Sequence, residues 1–178
     1  MNSLYYYTFI AAARANPFGS INMGKYLYFD PGAKVVQGIY IGSLSTVTNT
    51  DCICQNNITY IVNLSGSNYV SRVASHSINM ENKMITSLDL DKYIELFMQG
   101  ITLIKNAPPG NTLVHCAAGI NKSATLIALY LVDIGYSSED AVRLLGAANR
   151  VRGVQLLTNK SFVYLIKHYE KYRTKFIH

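Results

Sequence analysis

The residues with the clearest capacity for chemistry form one run, His115-Cys116-Ala117-Ala118-Gly119-Ile120-Asn121-Lys122-Ser123. It follows the short apolar stretch Thr112-Leu113-Val114 and leads into an apolar segment ending near Val132. A strand, a loop and a helix in that order bring successive backbone amides to one point at the positive end of a helix, an arrangement that takes a phosphate or another oxyanion. Ala117, Ala118, Gly119, Ile120, Asn121 and Lys122 are the candidate phosphate-binding residues. The same field stabilises a thiolate, so Cys116 is expected to ionise more readily than Cys52 or Cys54 and is the candidate nucleophile. Gly119 allows the tight backbone path, and Ser123 can give its hydroxyl to the thiolate or stabilise it as it leaves. His115 reads as a residue that fixes the loop and shapes the surroundings of the thiol rather than as a proton shuttle.

The elements that must position this loop follow from periodicity. Val35 to Gly42 alternates weakly, and Ile58 to Leu64 is a β-branched and aromatic run, so one strand is expected in each. Apolar residues recur at helical spacing from Asp89 to Lys105, and Ala107-Pro108-Pro109-Gly110-Asn111 ends that helix. Lys122 to Val132 is expected to be a buried helix, Ser137-Ser138-Glu139-Asp140 opens another with a capping signature, and Lys160 to about Lys175 forms the last. Strands alternating with helices favour an α/β layered fold. Residues 1–33 read as an N-terminal extension and residues 34–178 as the domain.

With 178 residues, 49% apolar and 15% charged, the chain is long enough for one core and too apolar for intrinsic disorder. The net charge of +6 favours phosphorylated proteins, nucleotides or nucleic acid as partners. The basic residues Lys167, Lys171, Arg173 and Lys175 suit a solvated helix face, or a patch for a partner or nucleic acid. Three cysteines cannot all pair, Cys52 and Cys54 read as ordinary half-buried thiols, and no Cys/His set has zinc-site spacing, so a reducing compartment with no metal is expected. The apolar opening Leu4 to Ala13 has no basic leader and is shorter than a membrane span, which points to an intracellular, cytoplasmic protein without a membrane partner.

The loop resembles the signature of the cysteine-dependent protein phosphatases: His-Cys, five residues, Arg, then Ser or Thr. Lys122 stands in the Arg position, six residues after Cys116. Through Gly38 to Gly42, Ile58 to Leu64, Asp89 to Tyr93 and Asn159 to Phe162, the likeness extends over roughly residues 34–171 to the compact dual-specificity phosphatases. His-Cys-Ala-Ala-Gly with Asn121 and Ser123 is most similar to their poxvirus-type members. The resemblance implies a mostly parallel central sheet flanked by helices, no cofactor, and a phosphorylated protein as partner, with phosphotyrosine or phosphoserine/threonine as the bound group. It further implies a homodimer formed through the N-terminal segment and, for a viral protein, residence in the host cell.

Two departures bear on activity. Lys122 keeps the charge of Arg but lacks the planar fork that grips two phosphoryl oxygens. The family's general acid is an Asp about thirty residues before the Cys; anchoring on Ile78-Asn79-Met80-Glu81 puts Asn82 there and anchoring on Asp89-Leu90 puts Met84 nearby, which leaves Glu81, Asp89 or Asp91 as stand-ins. The expectation is a catalytically impaired or inactive dual-specificity phosphatase, a pseudophosphatase that binds phosphorylated protein. The alternatives are an active dual-specificity phosphatase using Cys116 and an RNA 5′-phosphatase of the same fold, which would take nucleic acid as substrate.

Overall fold

The structure is a computed structural model and describes residues 30–173. The N-terminal segment expected to dimerise and Lys175 at the far end lie outside the described residues. Two strands, β1 (Ala33–Val36) and β2 (Ile39–Gly42), occupy the stretch expected to be a single strand. They pair antiparallel, with Ala33 opposite Ile41. The chain reverses at Gln37-Gly38, where Gly38 takes a φ of 78°, a backbone conformation costly for any side-chain-bearing residue. The two short helices that follow, α1 (Leu44–Thr48) and α2 (Thr50–Gln55), were not visible from periodicity, because neither is long enough to show one. Asn49 ends the first and caps the second, its side chain accepting a hydrogen bond from the Cys52 amide. On α2 the two thiols separate: Cys52 is buried and Cys54 exposed, where both were expected to be half-buried.

Three further strands, β3 (Ile58–Asn63), β4 (Ala74–Ser77) and β5 (Asn111–His115), complete a five-stranded sheet of order β1-β2-β5-β3-β4. The pairs β2·β5, β5·β3 and β3·β4 are all parallel. This is the mostly parallel α/β sheet expected from the resemblance. Four parallel strands end at one edge, so the loops after β2, β3, β4 and β5 gather there, and the loop carrying Cys116 leaves from the centre.

The helices α3 (Leu90–Lys105), α4 (Lys122–Asp133), α5 (Ser138–Arg152) and α6 (Lys160–Tyr172) carry most of the core. Helix α4 is packed against α3, α5 and α6, which explains why its sequence is apolar nearly all round. On α3 the buried positions Tyr93, Ile94, Phe97, Ile101 and Ile104 face inward, and Phe97 meets Phe162 of α6 edge to face with ring centroids 6.0 Å apart. The opposite sheet face buries Val47, Ile58, Ile61 and Leu113 beneath the short helices. Ser137 caps α5 through the Asp140 amide, and Gly153, with a φ of 67°, ends it immediately after Arg152. Among the described residues no helix is long and apolar enough to cross a membrane.

Candidate functional site

Cys116 follows the central strand directly, and its loop is clamped by the neighbouring strand ends. The Leu64 amide donates to the His115 carbonyl at 2.8 Å and the Leu44 amide to the Ala117 carbonyl at 3.1 Å. Beneath the loop lies Arg152, fully buried. Its guanidinium forks onto the Asp30 carboxylate, with Nε 2.9 Å from Oδ1, while Nη1 donates to the Gly119 carbonyl at 2.6 Å and Nη2 reaches the Ala118 carbonyl at 3.4 Å. Burial pushes the Asp30 carboxyl up, but the Arg152 hydrogen bond and charge outweigh it and hold the group below its ordinary value. Gly119, with a φ of 67°, backs onto both Arg152 and the Gly42 carbonyl, and a Cβ there would collide with each.

With the loop carbonyls drawn toward Arg152, the amides turn the other way. Burial works against ionisation of the Cys116 thiol, and the Ser123 hydroxyl at 3.4 Å together with the amides of Ser123, Ile120 and Gly119 more than compensates, leaving its pKa below that of an ordinary thiol. A buried thiol whose ionisation converging amides favour marks a site suited to negative charge.

Lys122 is buried and donates from Nζ to the Met80 carbonyl at 2.8 Å, tying the start of α4 to the segment after β4. Burial draws its pKa down and the neighbouring Cys116 charge draws it partly back. Three more bonds fix that segment: the Tyr93 hydroxyl donates to the Glu81 carbonyl, the Asn159 amide side chain to the Lys83 carbonyl, and the Ile85 amide to the Ser161 hydroxyl. Asn82 is thereby brought to the rim of a cavity of about 230 Å³ lined also by Cys116, Ala117, Ala118, Ile120, Asn121, Lys122 and Thr158. Among the described residues no carboxylate lines it. Glu81 and Asp89 lie 3.9 and 3.8 Å from the Lys83 ammonium, and Asp91 is exposed on α3. Asn121 anchors the rim, its Oδ1 accepting from the Asn159 amide at 3.0 Å and the Thr158 hydroxyl at 3.2 Å.

His115 does not line the cavity. It sits buried under the loop with Nε2 2.7 Å from the Tyr69 hydroxyl and Nδ1 without a hydrogen-bond partner. Burial lowers its pKa to about 4, so the ring is neutral near pH 7. Asp30 and Arg152 escaped the sequence reading. They lie 122 positions apart, and an Arg in the last turn before a Gly stop looks like a routine complement to a helix dipole.

A thiol beneath a phosphate-sized amide cradle, at the carboxyl edge of a mostly parallel sheet, is the layout of a cysteine-dependent phosphatase. The family profile "Dual specificity phosphatase, catalytic domain" matches residues 39–172, and the chain belongs to that family. It is 28% identical over 145 residues to dual specificity protein phosphatase 8 of Homo sapiens, spanning 78% of this chain but only 22% of that protein. With dual specificity protein phosphatase 1B of Arabidopsis thaliana the identity is 26%, over 78% of this chain and 81% of the relative. Among solved structures, that of DUSP15 is similar with a TM-score of 0.64 at 23% identity, covering 78% of this chain and 86% of its own. A mouse putative dual specificity phosphatase complexed with zinc tungstate gives a TM-score of 0.64 at 21% identity, covering 89% and 96%.

Two outcomes follow from the buried groups. Arg152→Met leaves the Asp30 carboxylate buried without its partner and is expected to cost about 3–5 kcal/mol in urea denaturation, whereas Arg152→Met with Asp30→Asn costs clearly less than the two single changes added. The unfolded His115, with an ordinary value of 6.5, binds a proton that the folded residue refuses until about pH 4. Its contribution to stability is therefore present at pH 7 and lost as pH falls through that window. Stability is expected to drop by about 2 kcal/mol between pH 7 and pH 5, and His115→Gln flattens that slope.

Proposed function

We propose that this protein binds phosphorylated protein through the Cys116 loop and turns it over weakly or not at all. The observation that carries this reading is the composition of the cavity around Cys116, which has the amide cradle and a thiol of lowered pKa but, among the described residues, no carboxyl group as proton donor. Asn82, at the rim of that cavity, cannot supply a proton to the leaving oxygen as the family's Asp does. Lys122 supplies one ammonium, already bonded to the Met80 carbonyl, in place of a two-pronged guanidinium. A general acid contributes typically ~10²–10⁴-fold and one charged hydrogen bond in the transition state ~10- to 100-fold, so both losses lie on catalysis, while the amides that bind an oxyanion are retained.

An active enzyme of the same fold is the competing reading, and the low thiol pKa favours it. In that case Cys116 attacks phosphorus, a phosphocysteine forms as the ester oxygen leaves, and water hydrolyses it to phosphate and free thiol.

Turnover of an aryl phosphate separates the two. The wild-type protein is expected to fall far below the typical enzyme value of ~10 s⁻¹, and a kcat near that value overturns the proposal. Asn82→Asp is expected to raise the rate by about 10²-fold or more, Lys122→Arg by about tenfold, and the double variant beyond either. Binding is read independently from alkylation of Cys116 by iodoacetamide. Millimolar phosphate or tungstate is expected to protect the thiol, less well at high salt and less well in Lys122→Ala than in Asn82→Ala. Unprotected alkylation under all of these oxyanions means the cavity is not a phosphate site.

A further inference from the structure

Helix α6 starts at the rim of the Cys116 cavity, where Thr158 and Asn159 bond to Asn121, and runs away from it for about 18 Å between Lys160 and Tyr172. Its inward face is occupied by Phe162, Leu165, Ile166 and Tyr169. Its other face carries a second pattern that the core does not require. Lys160, Tyr164, His168 and Tyr172 recur at steps of four and form one row, with Lys167 and Lys171 beside it.

The rings in this row form a ladder. Tyr164 and His168 have centroids 6.0 Å apart, His168 and Tyr172 4.6 Å apart, and the Lys171 ammonium lies 4.9 Å from the Tyr172 centroid. Tyr164 is 61% exposed, and Lys160, Lys167 and Lys171 are all exposed. The carboxylate of α6, Glu170, accepts from the amide and hydroxyl of Ser138 on α5 and also feels the Lys167 charge. Asp140 on α5 is taken by Arg143, and Glu139 shares the lining of one cavity with Lys167. The row is therefore a line of cations interleaved with flat rings, in a chain of net charge +6.

A ligand that matches both features has a repeating negative charge and repeating flat faces. Acidic peptides offer the charge without the faces, and an apolar partner would not favour three lysines. We infer that the outer face of α6 binds single-stranded nucleic acid, a base stacking on the exposed Tyr164 ring, which the half-buried His168 and Tyr172 rings support from behind, and phosphates lying along Lys160, Lys167 and Lys171. The row ends at the Cys116 cavity, so a strand lying on it directs one terminus toward the phosphate cradle. Binding to the row does not depend on whether that cradle turns over its ligand.

The test uses the full chain and a fluorescein-labelled twelve-nucleotide oligouridine with a 5′-hydroxyl, which offers the cavity no terminal phosphate. Fluorescence anisotropy is expected to report micromolar binding that weakens about 20-fold between 50 and 200 mM salt, from three lysine contacts at a single-strand slope of about 0.7 each. Tyr164→Ala is expected to weaken it about tenfold and Lys167→Ala with Lys171→Ala by a similar factor. Both changes lie on exposed positions, so thermal melting is expected to be unchanged. Absence of binding at 100 μM protein overturns the inference, as does binding indifferent to these substitutions. Polyglutamate binding as tightly as the oligonucleotide reduces the row to a charge effect and overturns the stacking assignment. Light scattering that shows a dimer broken by Tyr164→Ala would assign the face to a second copy of the chain instead. Adding a 5′-phosphate to the probe reads the cavity separately: tighter binding that is lost in Lys122→Ala joins the row to the cradle, and unchanged affinity confines the ligand to the row.

Discussion

The site depends on a fully buried ion pair beneath it. Arg152 divides its donors between the Asp30 carboxylate and the carbonyls of Ala118 and Gly119. A carbonyl held on one side of a peptide plane sends the amide to the other, so engaging the underside of the loop from below is what points its amides at the thiol. A buried pair of this kind adds little to net stability compared with apolar packing, because removing two charges from water costs nearly as much as their attraction returns. What it supplies is geometry. Asp30 fixes the guanidinium in one orientation, and the guanidinium fixes the loop in one path, with Gly119 the residue that lets the backbone approach so closely.

The longer elements were legible in the sequence, and so was the loop. Helices α3, α4, α5 and α6 each span three turns or more, enough for a 3.6-residue period or a capping residue to be read. The cradle was legible because its logic is local: strand, glycine-bearing turn and helix start are consecutive. What failed to show had no local signature. The reversal between β1 and β2 needed Gly38 to be read as a turn inside an apolar run, and the two short helices after β2 are stabilised by caps and by the sheet face rather than by periodicity. The Asp30–Arg152 pair joins residues 122 positions apart and leaves no trace in spacing. Asn82 was reached only by anchoring on the apolar pair Ile78 and Met80, both of which are buried.

Lys122 shows the difference between residue type and residue placement. Its position in the loop follows from counting, and its charge suggests a grip on phosphoryl oxygens. The structure gives its ammonium a carbonyl partner on the segment that carries Asn82. Cradle and flanking segment are thereby joined by one side chain, so a ligand that draws the ammonium toward itself must also release Met80. Tyr69 plays a comparable part on the other side, holding the neutral His115 ring under the loop from a segment remote in sequence.

The pairing of Asp30 with Arg152 also orders events in time. Arg152 lies 122 positions after Asp30, so the intervening chain must be made before the pair can close, and closing that loop carries an entropic cost until the sheet and helices have drawn the two residues together. During synthesis the thiol, its glycine and the start of α4 all emerge before Arg152 does. A nascent chain ending short of that residue carries the whole signature without the buttress that shapes it. The loop therefore has its buttress only once Asp30 and Arg152 have met across the fold.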